Sequence, residues 1–439
     1  MERTTNIETI NKIGQVVKVA GWINSRRDHG KICFLDLRDR TGMLQVFCSG
    51  ELIDKDIREE AVIEITGTIQ KRPDKLVNNE MATGSVELQA EELKVLEKSE
   101  ILPFEIKNMN VSLPTLFDWR PISLRNDEVS NIFKTQEDLI NGFRETLKSM
   151  DFTEFQSPAI VGTAPEGGSE VFHVDYYDYD AYLAQSPQVY KQILVGVYER
   201  VFTVAKAYRA EPSVTSRHLS EYISLDAEMG FIDSWEDIMD VCEKTVKGML
   251  ENVKDNHLKI FGAQKPDLSI KIPRIKLREA QEIINIDKGE PDLSPEGERK
   301  ICKWAKEKYN SDFIFITHFP TKKRPFYTYP DPQDAEYTQS FDLLFKGLEI
   351  VTGGRRINNY QQLVENINKW GNSERNFEFY LQAFKYGMPP EGGFAIGTER
   401  ITKQLLGIEN VAQTSLFPRD MERIDQRLNL IQERKNKKQ

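Results

Sequence analysis

The sequence contains little of what marks a secreted, membrane or zinc-structured protein. Its four cysteines are scattered, with no CxxC pair and no histidine at ligand spacing: Cys33, Cys48, Cys242 and Cys302. We therefore expect free thiols in a reducing cytosol and no structural zinc. No apolar run approaches the roughly 18–20 residues of a membrane span, and the N-terminus lacks the apolar core of a secretory signal. These absences predict a cytoplasmic protein with no membrane partner.

Net positive charge is absent as well. The net charge is −10 and the pI is near 5.4, which argues mildly against a dedicated nucleic-acid binder, although a local basic patch can coexist with an acidic whole. What is present is a chain of 439 residues, of which 39% are hydrophobic and 29% are charged. That length exceeds one ordinary core, so we expect two or three globular domains.

Residues 1–98 have the pattern of a small β-barrel. Five short β-prone runs are separated by turns: 16–23, 31–37, 43–47, 61–69 and 86–90. Together with a helical patch near 51–60, they predict a Greek-key barrel of the OB type. Such barrels bind single-stranded bases by stacking and phosphate neutralisation, and cations flank the aromatic residues here: Arg26, Arg27, Lys31, Arg38 and Arg40. Trp22 is predicted to be a core residue and Phe34 a binding residue.

Residues 99–125 are predicted to be a hinge or linker, and residues 126–439 a second domain. Residues 129–150 have the apolar spacing of a long amphipathic helix. Beyond them, strands and helices mix without a βαβ rhythm, which favours an α+β fold.

Three separated segments of this second domain carry phosphate-binding chemistry. Residues 394–400 indicate a glycine-punctuated strand that runs into a helix, with Arg400 at the junction. Residues 201–229 indicate a hairpin whose tip carries the charged residues Arg209, Glu211, Arg217, His218 and Glu221. A solvated charged turn is the alternative for that tip. The third segment, 341–351, indicates a hairpin with Asp342 and Glu349 placed to hold Mg²⁺, unless they are ordinary surface charge.

Two further segments suit a small polar ligand. Residues 165–169, with two glycines beside Glu166, are typical of a lid. Residues 184–192 place Gln188 and Lys191 one helical turn apart after a proline, so that the lysine could pair with a substrate carboxylate. Taken alone, both segments would more often be structural.

These residues, in this order, resemble a class II aminoacyl-tRNA synthetase, and specifically the archaeal/eukaryotic type of aspartyl-tRNA synthetase. The resemblance covers nearly the whole chain: the long helix with Pro158 is similar to the first class II motif, residues 208–219 to the second and residues 397–400 to the third. It implies an OB-fold anticodon-binding domain followed by a catalytic domain built on an antiparallel β-sheet flanked by helices. It also implies a homodimer.

The resemblance implies a role for each candidate residue. ATP would be bound by Arg209, Glu211, Arg217, His218, Leu219, Glu349 and Arg400, with Arg209 and Arg400 catalytic. L-aspartate would be bound by Glu166, Gln188, Lys191, Asp226, Thr352 and Arg356. Asp342 and Glu349 would hold Mg²⁺, and the anticodon would be read by Arg27, Phe34 and Gln45. The implied reaction activates aspartate with ATP and transfers it to tRNA(Asp).

Some positions depart from the family pattern. Ile357 and Asn358 stand where relatives commonly have a histidine, and Leu348 stands where many have an acid. Asn24 occupies a position near the third anticodon base, which leaves open whether tRNA(Asn) is a second substrate. Two alternatives also stay open: an asparaginyl-tRNA synthetase, and a synthetase-like paralogue that does not charge tRNA. The arginine-plus-lysine pocket argues against the first, because a neutral amide would not need two cations.

Overall fold

The structure is a computed structural model that describes residues 1–49, 51–52, 54, 56–162, 171–212, 215–287 and 289–431. The chain divides into two compact units, Met1–Met109 and Asn110–Gln439. The predicted linker 99–125 spans this division, and its boundaries stay a prediction.

The first unit is a closed five-stranded barrel. Its strands are β1 (Val16–His29), β2 (Ile32–Asp39), β3 (Gly42–Ser49), β4 (Val62–Lys71) and β5 (Val86–Glu97). They neighbour one another in the order β1-β2-β3-β5-β4, and β4 closes on β1. Alternate residues of each strand fill the interior, because successive side chains of a strand point to opposite faces. The predicted OB-type barrel is confirmed.

The prediction that Trp22 belongs to the barrel core is wrong. Its side chain is 38% exposed, whereas Val17, Val19 and Ile23 on the same strand are buried. Trp22 is an even-numbered residue on a strand whose odd-numbered residues point inward, so strand parity places it outside. Arg38 lies over its ring at 5.9 Å on that outer face.

The predicted helical patch at 51–60 is wrong for the residues of that segment that the structure describes, which form turns and irregular chain. Two of its carbonyl groups, at Asp54 and Ile57, accept hydrogen bonds from the Arg26 guanidinium at 2.8 and 2.7 Å. Ile57 is buried in the barrel core. A side chain therefore satisfies backbone groups that a helix would otherwise have paired.

The second unit is an α+β domain, as predicted. Its strands are β6 (Thr153–Glu154), β7 (Ile160–Val161), β8 (His173–Tyr176), β9 (Tyr179–Leu183), β10 (Arg200–Tyr208), β11 (Glu221–Gly230), β12 (Arg274–Lys276), β13 (Phe313–Thr317), β14 (Ser340–Phe345), β15 (Leu348–Arg355) and β16 (Glu391–Gly397). Its helices are α1 (Leu113–Asp118), α2 (Arg120–Ser123), α3 (Asp127–Lys148), α4 (Gln188–Tyr198), α5 (Glu236–Asn252), α6 (Asp255–Lys259), α7 (Leu277–Ile283), α8 (Pro295–Tyr309), α9 (Tyr360–Lys369), α10 (Glu378–Lys385), α11 (Thr398–Leu406) and α12 (Leu428–Ile431). Short 3-10 helices cover Ile7–Asn11 and Asp74–Leu76 in the first unit, and Thr321–Lys323, Glu374–Phe377 and Val411–Thr414 in the second.

Eight of these strands form one sheet, in the order β12-β13-β14-β15-β16-β11-β10-β6. It is antiparallel except at its margins, where β6 pairs with β10 and β12 with β13 in parallel. The long helix α3 packs on α5, and both contribute to the main core beneath the sheet. Strands β15, β16 and β11 are consecutive neighbours, so residues far apart in the chain lie side by side at the centre of the sheet. The candidate site lies on these strands.

Candidate active site

A single cavity of about 500 Å³ opens beside the central strands and gathers most of the candidate residues. Twelve of them line it: Gln188, Lys191, Arg209, Glu211, Arg217, His218, Leu219, Asp226, Glu349, Thr352, Arg356 and Arg400. Asp342 is not a lining residue, but its carboxylate is bonded to Arg324, which is. Glu166 lies outside the described residues. The three distant segments singled out in the sequence therefore meet in one place.

One end of the cavity is basic and partly exposed. Arg209 follows β10, and its guanidinium lies 3.7 Å from the Glu211 carboxylate and 5.7 Å from the Tyr222 ring centre. Arg400 lies in the first turn of α11, as predicted, and its Nη1 atom is 3.4 Å from a carboxylate oxygen of Glu349. Three guanidiniums converge here, because Arg217 lines the same end. Convergent guanidiniums have the charge and the donor geometry that suit phosphate groups.

The electrostatics of this end favour anions. Burial lowers the pKa of His218, and the neighbouring arginines lower it further, while Glu211 opposes them. Burial tends to raise the pKa of Glu349, but Arg400, a hydrogen bond from Thr352 and other nearby arginines reverse that effect and leave its pKa lowered. A neutral histidine and an ionised glutamate are the result at neutral pH.

The opposite end of the cavity is lined by fully dehydrated charges. The Lys191 ammonium contacts Asp226 at 2.9 Å and Glu228 at 3.0 Å, and none of the three side chains is more than 1% exposed. Arg356 donates a hydrogen bond from Nε to Glu228 at 2.7 Å and another from Nη2 to the Gly393 carbonyl at 3.1 Å. A Cβ on Gly393 would lie 2.1 Å from a Glu228 oxygen, so this glycine is what lets the carboxylate approach the strand.

This geometry removes one argument made from the sequence. Lys191 and Arg356 are not two uncompensated cations, because Asp226 and Glu228 balance them within the protein. Two cations therefore do not by themselves argue for a charged substrate over a neutral amide. Glu228 was missed in the sequence, although two acids at alternate positions of a buried strand, Asp226 and Glu228, are a usable signal.

The two candidate metal ligands are close but not directly opposite. In the β14–β15 hairpin, Asp342 pairs with Thr352, and Glu349 pairs with Leu344. Asp342 is 7% exposed; burial, with nearby Glu349 contributing, raises the pKa of Asp342 to about 7 while Arg324 opposes the rise.

A divalent cation fits these two residues. The Oδ1 atom of Asp342 is buried and has no hydrogen-bond partner among the described residues, and carboxylate oxygens are ligands that Mg²⁺ prefers. The described residues contain no group of three or more His, Cys, Asp or Glu side chains that could hold a metal ion. An ion at Asp342 and Glu349 would therefore need further oxygens from a ligand or water. Arg324 was also missed in the sequence, although the basic run 322–324 before Pro325 pointed to it.

The predicted anticodon residues share the outer face of the barrel. Arg27 is opposite Phe34 in the β1–β2 pair, and Gln45 is opposite Asp36 in the β2–β3 pair. Arg27 donates two hydrogen bonds to Asp36, at 2.9 and 3.0 Å, and remains 46% exposed. The Phe34 ring meets Phe47 edge-on at 5.5 Å. An aromatic pair with an adjacent cation is suited to stacking on unpaired bases.

Comparison with known proteins identifies the class. Residues 112–421 match the family "tRNA synthetases class II (D, K and N)", and residues 17–96 match "OB-fold nucleic acid binding domain". The chain belongs to the class II tRNA synthetase family, which confirms the resemblance drawn from the sequence.

Particular relatives cover almost the whole chain. The chain is 44% identical to an aspartate–tRNA(Asp/Asn) ligase of Thermus thermophilus, over 94% of this chain and 97% of that protein. It is 41% identical to an aspartate–tRNA(Asp) ligase of Picrophilus torridus, over 93% of this chain and 96% of that protein. Among solved structures, asparaginyl-tRNA synthetase from Pyrococcus horikoshii complexed with asparaginyl-adenylate superimposes with a TM-score of 0.88 at 28% identity, covering 97% of this chain and 99% of that one. Across the described residues, the helices are all too short or too polar to span a bilayer.

Proposed function

We propose that the chain is an aspartate–tRNA ligase, which activates L-aspartate with ATP and transfers it to the 3′-terminal adenosine of tRNA(Asp). The observation that carries the proposal is the single cavity, with guanidiniums from separate segments at one end and a charge-balanced pocket at the other. The relatives from Thermus and Picrophilus are named as aspartate–tRNA ligases, which supports aspartate as the amino acid. The retained phosphate arginines argue against a paralogue without ligase activity.

ATP occupies the basic end in this proposal. Arg209 clamps the α-phosphate, and Arg217 and Arg400 neutralise the outer phosphates. The remaining ATP contacts come from Glu211, His218, Leu219 and Glu349. Acyl-phosphate formation needs mainly positioning and charge stabilisation, which arginines supply without a protein nucleophile.

Aspartate occupies the dehydrated end. Its side-chain carboxylate pairs with Arg356 and is assisted by Lys191, while Gln188, Asp226 and Glu166 surround its amino group and Thr352 completes the pocket. The α-carboxylate then attacks the α-phosphorus of ATP, the bond to the bridging oxygen breaks, and pyrophosphate leaves. In the second step a ribose hydroxyl of the tRNA attacks the carbonyl carbon of the adenylate, and AMP leaves.

Asp342 and Glu349 would hold Mg²⁺. Such an ion supplies positive charge that neutralises phosphate oxygens. The Oδ1 atom of Asp342, which has no hydrogen-bond partner in the part of the chain that the structure describes, supports this assignment.

The tRNA anticodon is read by the barrel through Arg27, Phe34 and Gln45. We include tRNA(Asn) as a second substrate for two reasons. The resemblance to aspartyl-tRNA synthetases implies that Asn24 lies near the third anticodon base, and the Thermus relative is named for both tRNAs. We also propose a homodimer formed through α3 and a cytoplasmic location, where ATP and tRNA meet.

Pyrophosphate exchange with aspartate and with asparagine tests the amino acid. The proposal expects exchange with aspartate only. Exchange with asparagine alone would instead establish an asparaginyl enzyme, which the charge-balanced pocket and the Pyrococcus structure keep as the second candidate. Failure of exchange with both would favour the inactive paralogue.

Two transcripts that differ only in the last anticodon base, GUC and GUU, test the tRNA. The proposal expects aspartate on both at comparable rates. Charging of the GUU transcript orders of magnitude more slowly would restrict the enzyme to tRNA(Asp).

A further inference from the structure

A buried glutamate outside the motifs discussed above contacts the phosphate end of the cavity. Glu298 lies in the first turn of α8, in the segment between β12 and β13, and is 8% exposed. Ser294 caps this helix, and its hydroxyl accepts the Gly297 amide at 3.2 Å. The turn of the β14–β15 hairpin packs against the same helix: a Cβ on Gly347 would lie 2.9 Å from the Arg299 side chain. The position of Glu298 is therefore fixed from two sides.

One carboxylate oxygen of Glu298 links two residues of the proposed ATP site. Its Oε2 accepts a charge-assisted hydrogen bond from Arg217, which is 81 residues earlier in the chain. The same atom accepts the backbone amide of Glu349 at 3.3 Å, from a residue 51 positions later. Within the described part of the chain, Glu298 is the carboxylate at ion-pair distance from Arg217.

Burial and charge act against each other at this residue. Burial is the largest influence and raises the pKa of Glu298, while the Arg217 guanidinium lowers it and Glu349 raises it further. The Arg217 guanidinium is the main influence that opposes burial at this acid, and the hydrogen bond between the two residues holds the guanidinium in one place. A guanidinium has five N–H donors, so contact with one carboxylate oxygen leaves donors for a phosphate.

We propose that Glu298 is a positioning residue for ATP, which fixes the Arg217 guanidinium beside Glu349 and Arg400 so that it meets the outer phosphates without prior reordering. This inference rests on the proposed function, because it takes Arg217 as a phosphate ligand. Ordering a long side chain in advance removes an entropic cost that ATP binding would otherwise carry. The opposite possibility, that Glu298 withholds Arg217 from ATP, predicts the opposite sign in the same measurement.

The test compares Glu298→Gln with Glu296→Gln in the full-length chain. Both variants remove one negative charge from the first turn of α8, but Glu296 is 67% exposed and pairs with Lys300 on the same helix. We expect Glu298→Gln to raise the KM for ATP in pyrophosphate exchange by about tenfold, the cost of one charge-assisted hydrogen bond. The KM for aspartate should change less than about twofold, since Glu298 contacts none of the described residues that are proposed to bind aspartate. Glu296→Gln should leave both constants unchanged.

Two more variants distinguish a positioning role of Glu298 from a general structural role. Glu298→Asp keeps the charge and should recover part of the ATP affinity. Glu298→Gln combined with Arg217→Ala should be no worse than Arg217→Ala alone, because the two residues act as one unit. An unchanged or lower KM for ATP in Glu298→Gln, equal rises in both KM values, or additive losses in the double variant would overturn the proposal.

The proposed function and this inference can fail separately. If the wild-type chain shows no aspartate-dependent exchange, the proposed function fails. ATP affinity of the same variants, measured by calorimetry, then still decides the role of Glu298. A tenfold loss in Glu298→Gln supports positioning, and unaltered affinity refutes it. Thermal unfolding by circular dichroism identifies any variant that does not fold, in which case Glu298→Asp alone carries the comparison and must bind ATP more weakly than wild type.

Discussion

The two ends of the cavity differ in how their charges are held. At the end proposed to bind aspartate (the aspartate end), Lys191, Asp226 and Glu228 have side chains at most 1% exposed and are paired within the protein. At the end proposed to bind the phosphates of ATP (the phosphate end), the side chain of Arg209 is 43% exposed and that of Arg400 is 25% exposed. One end is dehydrated during folding, whereas the other keeps much of its contact with water.

This difference suggests a division of labour. Removing charged groups from water is costly. The charges of the aspartate end must therefore be buried and paired during folding, before substrate binds, and the selectivity of this end depends on their fixed geometry. Exposed guanidiniums can exchange water for phosphate at little cost. At the phosphate end the fold therefore needs only to place the arginines close together. Substitutions at the aspartate end should therefore lower the stability of the protein, whereas substitutions at the phosphate end should lower its activity alone.

The substitution Lys191→Met is expected to have the largest effect on the free energy of unfolding. This variant leaves Asp226 and Glu228 as two buried carboxylates, of which Glu228 keeps its ion pair with Arg356. We expect the free energy of unfolding to fall by about 3–5 kcal/mol, the cost of breaking a buried pair from one side. Urea denaturation at neutral pH measures it. A loss below about 1 kcal/mol would mean that water reaches these groups and that the contrast between the two ends is false.

Arg356→Ala should be less damaging to folding, because Glu228 keeps Lys191 at 3.0 Å. We expect a loss of about 1–3 kcal/mol in the free energy of unfolding. Aspartate-dependent pyrophosphate exchange should disappear while ATP still binds, since the phosphate arginines are untouched. Calorimetry with ATP and exchange assays with aspartate measure the two properties, and equal loss of both would show that Arg356 has been assigned to the wrong substrate.

Much of this organisation could be predicted from local sequence. Strand parity and turn residues are local, so the barrel, the β14–β15 hairpin and the junction at Arg400 were correctly placed. Strand parity also predicts that Trp22 points outward, because the odd-numbered residues Val17, Val19 and Ile23 form the apolar, inward face of β1. That error came from treating a large aromatic residue as core without counting its register.

The rest depended on contacts between distant parts of the chain. Lys191 reaches Asp226 and Glu228 only because α4 lies against β11, and Arg356 reaches Glu228 only because β15, β16 and β11 are adjacent in the sheet. Strand order is set by the whole core and has no local signal. Glu298 likewise contacts Arg217 across 81 residues, from a helix that no motif marks.

The pH dependence of the free energy of unfolding tests the same contrast between buried and exposed charges, at the buried residue Glu391. Its carboxyl is completely buried; one oxygen accepts the Gln192 amide at 2.8 Å, and the other has no partner among the described residues. Burial raises its pKa well above the ordinary 4.5, and the neighbouring carboxylate Glu228 adds to the rise. The cations Arg356 and Lys191 oppose it, and the phenol of Tyr380 also lies nearby.

The sign of the effect follows from proton binding. Above the unfolded pKa of 4.5 the folded protein keeps a proton on Glu391 that the unfolded chain releases, so this residue makes stability fall as pH rises toward its folded pKa. Glu391→Gln cannot titrate and should lose less stability than wild type between about pH 5 and about pH 8. Urea denaturation across that range measures the slopes, with Glu296→Gln as the exposed control. Identical slopes for wild type and Glu391→Gln would indicate that Glu391 is ionised in the folded protein.

The smallest effect on folding is expected at the exposed end, for Arg209→Ala. Its ion pair with Glu211 is 3.7 Å long and solvated, so the free energy of unfolding should change by no more than about 0.5–1 kcal/mol. ATP affinity should nevertheless fall by at least tenfold, because a guanidinium contributes about 1.5–3 kcal/mol to a phosphate. The matched control is Lys206→Ala on β10, three residues before Arg209, where a cation 50% exposed pairs with Glu221 at 3.1 Å and does not line the cavity. Lys206→Ala should match Arg209→Ala in stability and bind ATP normally. If Arg209→Ala instead unfolded the protein as readily as Lys191→Met, both ends would be structural and the division of labour between them would not exist.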